Sequence, residues 1–358
     1  MTKPRTTDQA LQAIDDLFAG AGLEHGTRSS AFRAGTSGTN TKRATPIQVR
    51  TESTLPPLDV LRISAWQKLG WLQHGFSTRS GGRSTIYRSG LEDKRGDLNL
   101  GFNSSDTERN VIANRRLFLA AVGGGKPSSV PKLVTLHQIH STLTRRVGRE
   151  YAAERALTSG DGLMTDEPGL FLGIQTADCI PVLLADRKLG AVAAFHAGWR
   201  GTLGRIVENG VGRMRLEFGS QPEDLIAAIG PGIGQCCYSV GEEMLHQFRS
   251  QFVYADDLFR DVYDSDPVRN KYPMLFLTAR APGHSDIGPG VHLDLKEANR
   301  RQLLAAGLRS NAISVVADCT SCLPERFFSH RGEHGFTGRM LSVIGVRAPE
   351  CRAGIKKC

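Results

Sequence analysis

In the stretch TADCIPVLLADRKLGAVAAFHAGWRG, Thr176 to Gly201, Cys179 and His196 interrupt otherwise apolar runs. Both fall near the ends of strand-like segments, where α/β sheets present their ligands. A third apolar segment, LVTLHQIHS, ends with His137 and His140. Strict alternation along a strand would point these two histidines to opposite faces, so a regular strand could offer only one of them to a shared ion. One of the pair, with Cys179 and His196, makes a His2Cys set. Three protein ligands with a fourth position left for water is the pattern of a catalytic zinc site. Zinc suits reduced thiolate and neutral imidazole better than copper does, although thiolate also holds Cu(I). The same residues permit a second chemistry, with Cys179 as nucleophile and a histidine as its base. Asp178, adjacent to Cys179, is a candidate proton carrier or an anchor for the ligand. The plain alternative is a buried structural thiol and a hydrogen-bonded core histidine.

Short runs bounded by turn residues must position these groups. LFLGIQTADC, PVLLAD, GAVAAFHAG and LIAAIGPG read as buried strands, with Pro181 expected to interrupt or end strand pairing. Three helices are signalled between and beside them. Ser105 or Asp106 can cap TERNVIANRRLFLAAVGGG, which runs into C-cap glycines. TLGRIVENGVGRMRLEF places Leu203, Val207, Val211, Met214 and Phe218 on one helical face. DLKEANRRQLLAAGL has Asp294 and Glu297 spaced as a capping box and Gly307 as its stop. The class expected is α/β, with mixed β-sheets and flanking helices. Residues 8–20 could form a short amphipathic helix, and the Gly/Ser/Thr-rich stretch after it reads as a flexible linker. The expected organisation is therefore a flexible extension over 1–57, one catalytic domain over 58–347 and a tail over 348–358.

The chain has 358 residues, 40% of them hydrophobic, enough to bury a real core. Its net charge of +9 is concentrated at the ends: residues 1–50 hold seven Lys/Arg against four Asp/Glu, and residues 348–358 hold three against one. With only 7% aromatic residues and no basic stripe interleaved with them, the body is not expected to bind nucleic acid. No apolar run approaches the ~20 residues of a membrane span. The first residues lack an apolar signal-peptide core, and Asp8, Asp15 and Asp16 argue against a transit peptide, so a cytoplasmic protein is expected. Seven cysteines, an odd number, fit reduced thiols or metal ligands better than a disulfide framework. The lone CxxC of Cys319 and Cys322, and the Cys236-Cys237 pair in its crowded turn, are assigned to packing.

A series of motifs in order resembles the YfiH/laccase-domain family (DUF152). They are HGFSTRSGGRS, DLNLGF, NRR, HQIHS, DGLMTDEPGLFLGIQTADCIPVLLAD, AAFHAGWRGT, IGPGIGQCCYSVGEEM, HLDLKEANRRQL and DCTSC followed by FFSHRGEHGFTGRM. The resemblance covers about residues 58–347 and implies a layered α/β fold shared with a cysteine-dependent toxin deamidase. Members have been described as polyphenol oxidases and later as purine nucleoside phosphorylases with adenosine deaminase activity. One bacterial branch is called the peptidoglycan editing factor. Carried onto this chain, the family's metal ligands fall on His140, Cys179 and His196, leaving His137 a structural place. Three positions depart from the family pattern: Ser141 stands for a usual Gly, His330 for a common Tyr and Gly332 for an Arg.

The implied activity is zinc-dependent phosphorolysis of adenosine, inosine or S-methyl-5'-thioadenosine by a monomer, with deamination of adenosine at the same site. Phosphorolysis passes through an oxocarbenium-like sugar and needs a held phosphate, which arginine forks match. Arg79, in a Gly-rich turn, and Arg331, before GEHGFTGR, are the candidates, and Asn99 of DLNLGF is a candidate for sugar or base. Deamination needs an activated water, which zinc supplies by lowering its pKa. The chain lacks the H-x-E…P-C-x-x-C signature of nucleobase deaminases. The competing readings are a Cys/His hydrolase acting on a peptidoglycan precursor, a copper phenol oxidase and a non-catalytic binding module. Laccases proper gather paired H-x-H motifs, and the ten histidines here include none.

Overall fold

Ile180–Asp186 forms a strand, β9, whose seven residues are all buried, as a strand covered on both faces requires. Alternation along it is regular. Ile180, Val182 and Leu184 belong to one apolar cluster, while Leu183 and Ala185 belong to another. The computed structural model describes residues 58–87, 96–103, 105–127, 130–262 and 290–349, all within one compact unit, Thr54–Cys358. The expected helix at 8–20, the linker after it, the 1–57 extension and most of the 348–358 tail lie outside the described residues.

Two mixed sheets pack face to face. The first has the order β1 (Val60–Leu61), β2 (Leu72–Ser77), β16 (Met340–Val346), β8 (Leu170–Thr176) and β5 (Lys132–Thr135). Only its β5–β8 pair is parallel. The second has the order β15 (Ile313–Val315), β11 (Leu225–Ile229), β9, β10 (Val192–Ala197), β7 (Gly162–Thr165) and β6 (Thr144–Arg146). Its outer pairs are parallel and its inner pairs antiparallel. Phe76, Leu172, Ile174 and Ile344 of the first sheet meet Leu163, Leu183, Val192 and Ala228 of the second in the inter-sheet core. Two smaller sheets, β3 (Ser80–Gly82) with β4 (Gly96–Asp97), and β12 (Ser239–Val240), β14 (Gly290–Leu293) and β13 (Phe259–Val262), flank them.

Helices cover both outer faces, giving an α/β/β/α layering. α1 (Glu108–Gly123) lays Phe118, Leu119 and Val122 on Phe171, Leu341 and Val343 of the first sheet. Its N-cap is Thr107, whose side chain accepts from the Asn110 backbone, rather than Ser105 or Asp106; Gly124 at φ 75° closes its other end. The segment expected as one helix from Thr202 is two, α2 (Trp199–Leu203) and α3 (Ile206–Phe218), because Arg205 takes a left-handed φ of 61°. The apolar face of α3 still packs on the second sheet through Val207, Val211 and Met214. α4 (Glu242–Gln251) buries Phe248 in the same core. α5 (Leu295–Ala305) starts on Asp294, which accepts from the Glu297 backbone at 2.9 Å. The Glu297 side chain turns instead to Arg300 and Arg301, so the capping box is not reciprocal.

One buried histidine should make the first sheet sensitive to acid. His74, on β2, accepts a hydrogen bond from the Ile63 backbone through Nε2 at 2.8 Å and stands edge-on to Trp66. Burial, helped by the nearby Arg62 cation, lowers its pKa to about 4. The unfolded chain therefore binds this proton more readily, and the stability contributed by neutral His74 is complete above about pH 6.5 and lost as pH falls towards 4. The loss should reach at most about 3 kcal/mol. Denaturant titrations from pH 7 to pH 4 should show a His74→Gln variant, which keeps an acceptor near Nε2, with a flatter fall in stability. An unchanged slope would assign the acid sensitivity to other groups.

Candidate metal centre and active site

The two sheets exchange chain at one rim, and the candidate site is built there. β8 belongs to the first sheet and β9 to the second, so the Ala177–Cys179 connection turns the corner between them. The loop carrying His140 likewise leaves β5 in the first sheet and enters β6 in the second. His196 lies on β10, opposite Pro181 of β9. Pro181 is the second residue of β9, at the end of the ladder, a position its missing N–H tolerates.

Asp161 orients the set. On the residue just ahead of β7, it accepts the His196 backbone N–H on its carbonyl at 2.7 Å, while its carboxylate meets His196 Nδ1 at 2.8 Å. The same carboxylate accepts from the backbones of Ile139, His140 and Ser141 and from Ser141 Oγ, the last two at 2.6 and 2.7 Å. It therefore fixes one imidazole directly and the other through its peptide, which holds His140 at φ 56°. Burial opposes ionisation of Asp161, but the hydrogen bonds from His196 and Ser141 together outweigh it and lower the pKa to about 2. With Nδ1 engaged, His196 presents Nε2 to a ligand.

His140, Cys179 and His196 each offer a ligand atom, all within 4.8 Å of one another. The two imidazole rings are edge to face, with centroids 4.8 Å apart. Burial would raise the pKa of Cys179, yet the neighbouring His196 and His140 outweigh it and bring the thiol down to about 6. Burial likewise disfavours charge on His196, and Cys179 with Asp161 overrides it, lifting the imidazole to about 9. A thiolate between two imidazoles is a soft, tetrahedral-type donor set, so these residues fit a zinc or Cu(I) ion. A Cβ on Gly198 would lie 3.1 Å from Cys179 Sγ and 3.2 Å from His140 Cδ2, which explains a glycine after the strand.

The remaining expected site residues divide. Asp178, at φ 88°, accepts from Thr320 Oγ1, Ser329 Oγ and the Arg331 backbone at 2.6 to 2.8 Å. It anchors the 320–331 loop to the corner and is absent from the cavity wall, a geometry that serves positioning and not proton transfer. Arg79 is buried, with its guanidinium committed to Asp97, Glu333 and the carbonyls of Tyr87 and Pro324, beneath Phe328. It locks loops together and has no fork to offer a phosphate. Asn99 is fully buried between Asp106, Gly101 and the Arg339 backbone, so sugar or base contact is closed to it. Arg331 is exposed, bonds the Ser239 carbonyl and lies over Tyr238, and it is not among the residues that line the cavity. The four cysteines expected in packing roles, Cys236, Cys237, Cys319 and Cys322, instead bring their sulfurs within 4.8 Å of one another.

A cavity of about 660 Å³ opens beside the three ligands. Its wall adds Arg115, Arg155 and Arg339, the histidines His137 and His330, and Gln138 and Gln175. Phe102 lies between the Arg115 and Arg155 guanidiniums, at 4.4 and 4.5 Å. Arg115 keeps its Nη2 buried and unpartnered, while Nε and Nη1 bond the Leu100 and Glu154 carbonyls. Asp161, Arg115 and Arg339 lie inside the motifs DGLMTDEPG, NRR and TGRM, where their residue types and spacing alone do not single them out.

The fold is mixed α/β, and at a strand-end cavity it brings together a His2Cys cluster able to hold a metal ion. The chain belongs to the family described as multi-copper polyphenol oxidoreductase laccase, whose model matches residues 73–347. It is 33% identical over 290 residues to "Purine nucleoside phosphorylase YlmD" of Geobacillus stearothermophilus, covering 78% of this chain and 95% of that protein. It is 35% identical over 218 residues to "Adenosine deaminase RL5" of an unknown prokaryotic organism, covering 59% of this chain and 74% of that protein. The crystal structure of Bacillus licheniformis hypothetical protein YfiH superposes with a TM-score of 0.65 at 33% identity, over 82% of this chain and 97% of that one. No described helix is long and apolar enough to cross a membrane.

Asp161 should control metal affinity without touching the ion. An Asp161→Asn variant should bind Zn(II) or Co(II) about 10- to 100-fold more weakly in chelator competition, the scale seen when a ligand's outer partner is lost. Circular dichroism at the same temperature should remain native. Unchanged affinity would mean that strand pairing alone orients His196.

Proposed function

We propose that this chain is a purine nucleoside phosphorylase that also deaminates adenosine, acting through zinc held by His140, Cys179 and His196. The observation that carries this reading is the convergence of those three side chains on a cavity whose wall is lined by arginines. The names of the relatives and the volume of the cavity, about 660 Å³, which suits a nucleoside with an anion, support it. A zinc ion held by His140, Cys179 and His196 would supply Lewis acidity towards a water or substrate hydroxyl. The protein's own part is positioning. Arg339 draws an anion to the wall, Gln175 offers its amide to the substrate while the Gln138 amide holds the Gln175 backbone by two hydrogen bonds, and His137 and His330 are the wall imidazoles outside the ligand set that can pass a proton to a leaving base. Asp178 holds the 320–331 loop in place, and Arg331 belongs to that scaffold. The catalytic unit spans 58–347 and is proposed to act as a cytoplasmic monomer.

A second reading, a hydrolase with Cys179 as nucleophile, is favoured by one observation: Cys179 lies within hydrogen-bonding reach of both imidazoles. Copper phenol oxidation is suggested by the family's description, but the ten histidines of the chain form no H-x-H pair.

Purified protein should release base from adenosine, inosine or S-methyl-5'-thioadenosine only with phosphate present, yielding the sugar 1-phosphate. His140→Ala should abolish both this activity and deamination, whereas a cysteine nucleophile served by His196 would survive it. Arg339→Gln should raise KM for phosphate about tenfold or more, the scale of one lost charged hydrogen bond, with a smaller effect on deamination. Base release independent of phosphate would remove the phosphorylase assignment.

A further inference from the structure

Outside the His2Cys centre, a second group of soft ligands comes together in two loops that both bond Asp178. Cys236 Sγ lies 3.4 Å and Cys237 Sγ 3.3 Å from Cys322 Sγ, and with Cys319 all four sulfurs fall within 4.8 Å. We propose that Cys236, Cys237, Cys319 and Cys322 form a second metal site, a mononuclear tetrathiolate centre of the structural zinc type.

The spacing argues for one ion. With Zn–S bonds near 2.3 Å, the edge of a ZnS4 tetrahedron is about 3.8 Å, inside the range these sulfurs span. A disulfide would need two sulfurs at about 2.05 Å, and the short contacts are well beyond that. A polynuclear iron–sulfur cluster needs a wider cage, because bridging sulfides separate its irons. The surroundings suit a charged thiolate centre. The Gly234 N–H donates to Cys319 Sγ at 3.1 Å, a contact typical of metal-bound thiolates. The Lys296 ammonium, fixed by the Val316 and Asp318 carbonyls, shares a cavity wall with Cys236 and Cys319. Cys236 and Cys322 are exposed, which gives an ion a way in. Gly234 makes the approach possible, since a Cβ there would sit 3.2 Å from both Cys236 Sγ and Cys319 Cβ.

The ligands come from two loops that already run side by side. Gly232 and Cys319 form a parallel bridge, with Thr320 donating to the Gly232 carbonyl at 3.1 Å. Ile233 in one loop and Thr320 in the other both bond Asp178, the neighbour of Cys179. An ion shared by the four sulfurs clips together the two loops that hold the corner of the catalytic centre. Its role is to position that corner.

The full-length protein, purified with zinc and freed of loosely bound metal, tests this by elemental analysis and by Co(II) substitution. Expected are two zinc per chain in the wild type, one in Cys319→Ser/Cys322→Ser and one in Cys179→Ser, with the Co(II) form of Cys179→Ser showing the strong charge-transfer absorption of four thiolates. Should the double variant fail to fold, the cobalt spectrum of Cys179→Ser still decides. A single wild-type zinc that is lost from Cys179→Ser, or a Cys322 disulfide found by mass spectrometry of the alkylated protein, would overturn the proposal. A single wild-type zinc that survives Cys179→Ser and is lost from the double variant would uphold this site and remove the zinc from the proposed catalytic centre instead.

Discussion

One buried carboxylate holds the candidate site in register. Asp161 stands at the entrance to β7, opposite the end of β10, and there it satisfies an imidazole, three backbone N–H groups and a hydroxyl. A carboxylate can stay ionised at so low an exposure only where donors of this number converge on it. The arrangement works in both directions. The donors keep Asp161 charged, and the charged Asp161 holds the 139–141 loop in a conformation that includes a left-handed His140. Without it, two ligands of the set would lose their orientation together.

Asp161 can act on both histidines because the two main sheets are stacked and joined by loops that cross from one to the other. Chain leaving the first sheet at β5 and at β8 arrives in the second at β6 and at β9, and each crossing carries one ligand of the set. The outer helices bury the opposite faces of both sheets and leave the rim free. Arg79 and Asp178 then fasten the 318–340 segment to that rim, one through its ion pair with Glu333 and its hydrogen bond to the Pro324 carbonyl, the other through loop hydrogen bonds. Arg79, Asn99 and Arg331, which looked like substrate contacts in the sequence, do not line the cavity and make their contacts within the surrounding loops.

The layered class, the central strands and the cysteine and histidine near their ends were legible because burial on both faces leaves a continuous apolar signal in strands such as β9 and β10. The choice between His137 and His140 was not legible from periodicity. β5 stops at Thr135, so alternation no longer applies at either histidine, and the decisive contact is with Asp161, about twenty residues away. The arginines failed for a related reason. A guanidinium in a Gly-rich turn reads the same whether it faces phosphate or, like Arg79, a buried Asp97 and a half-buried Glu333 contributed by other segments. The four cysteines illustrate the point most simply: 319 and 322 have a spacing that means little until a loop some eighty residues earlier supplies the other pair.

The crossing loops also tie the chemistry to the mechanics of the sandwich. Any ion gripped by His140, Cys179 and His196 acts as a rivet through two layers, since one ligand rides on a strand of the second sheet and the others on the chain that bridges the sheets. The space between the layers is set by the inter-sheet core of Phe76, Leu172, Leu183 and Val192. Shaving a methyl group from that core would let the layers settle, and the coordination sphere would register the change although nothing near it had been altered. Affinity for metal is in this sense a gauge of packing between the sheets.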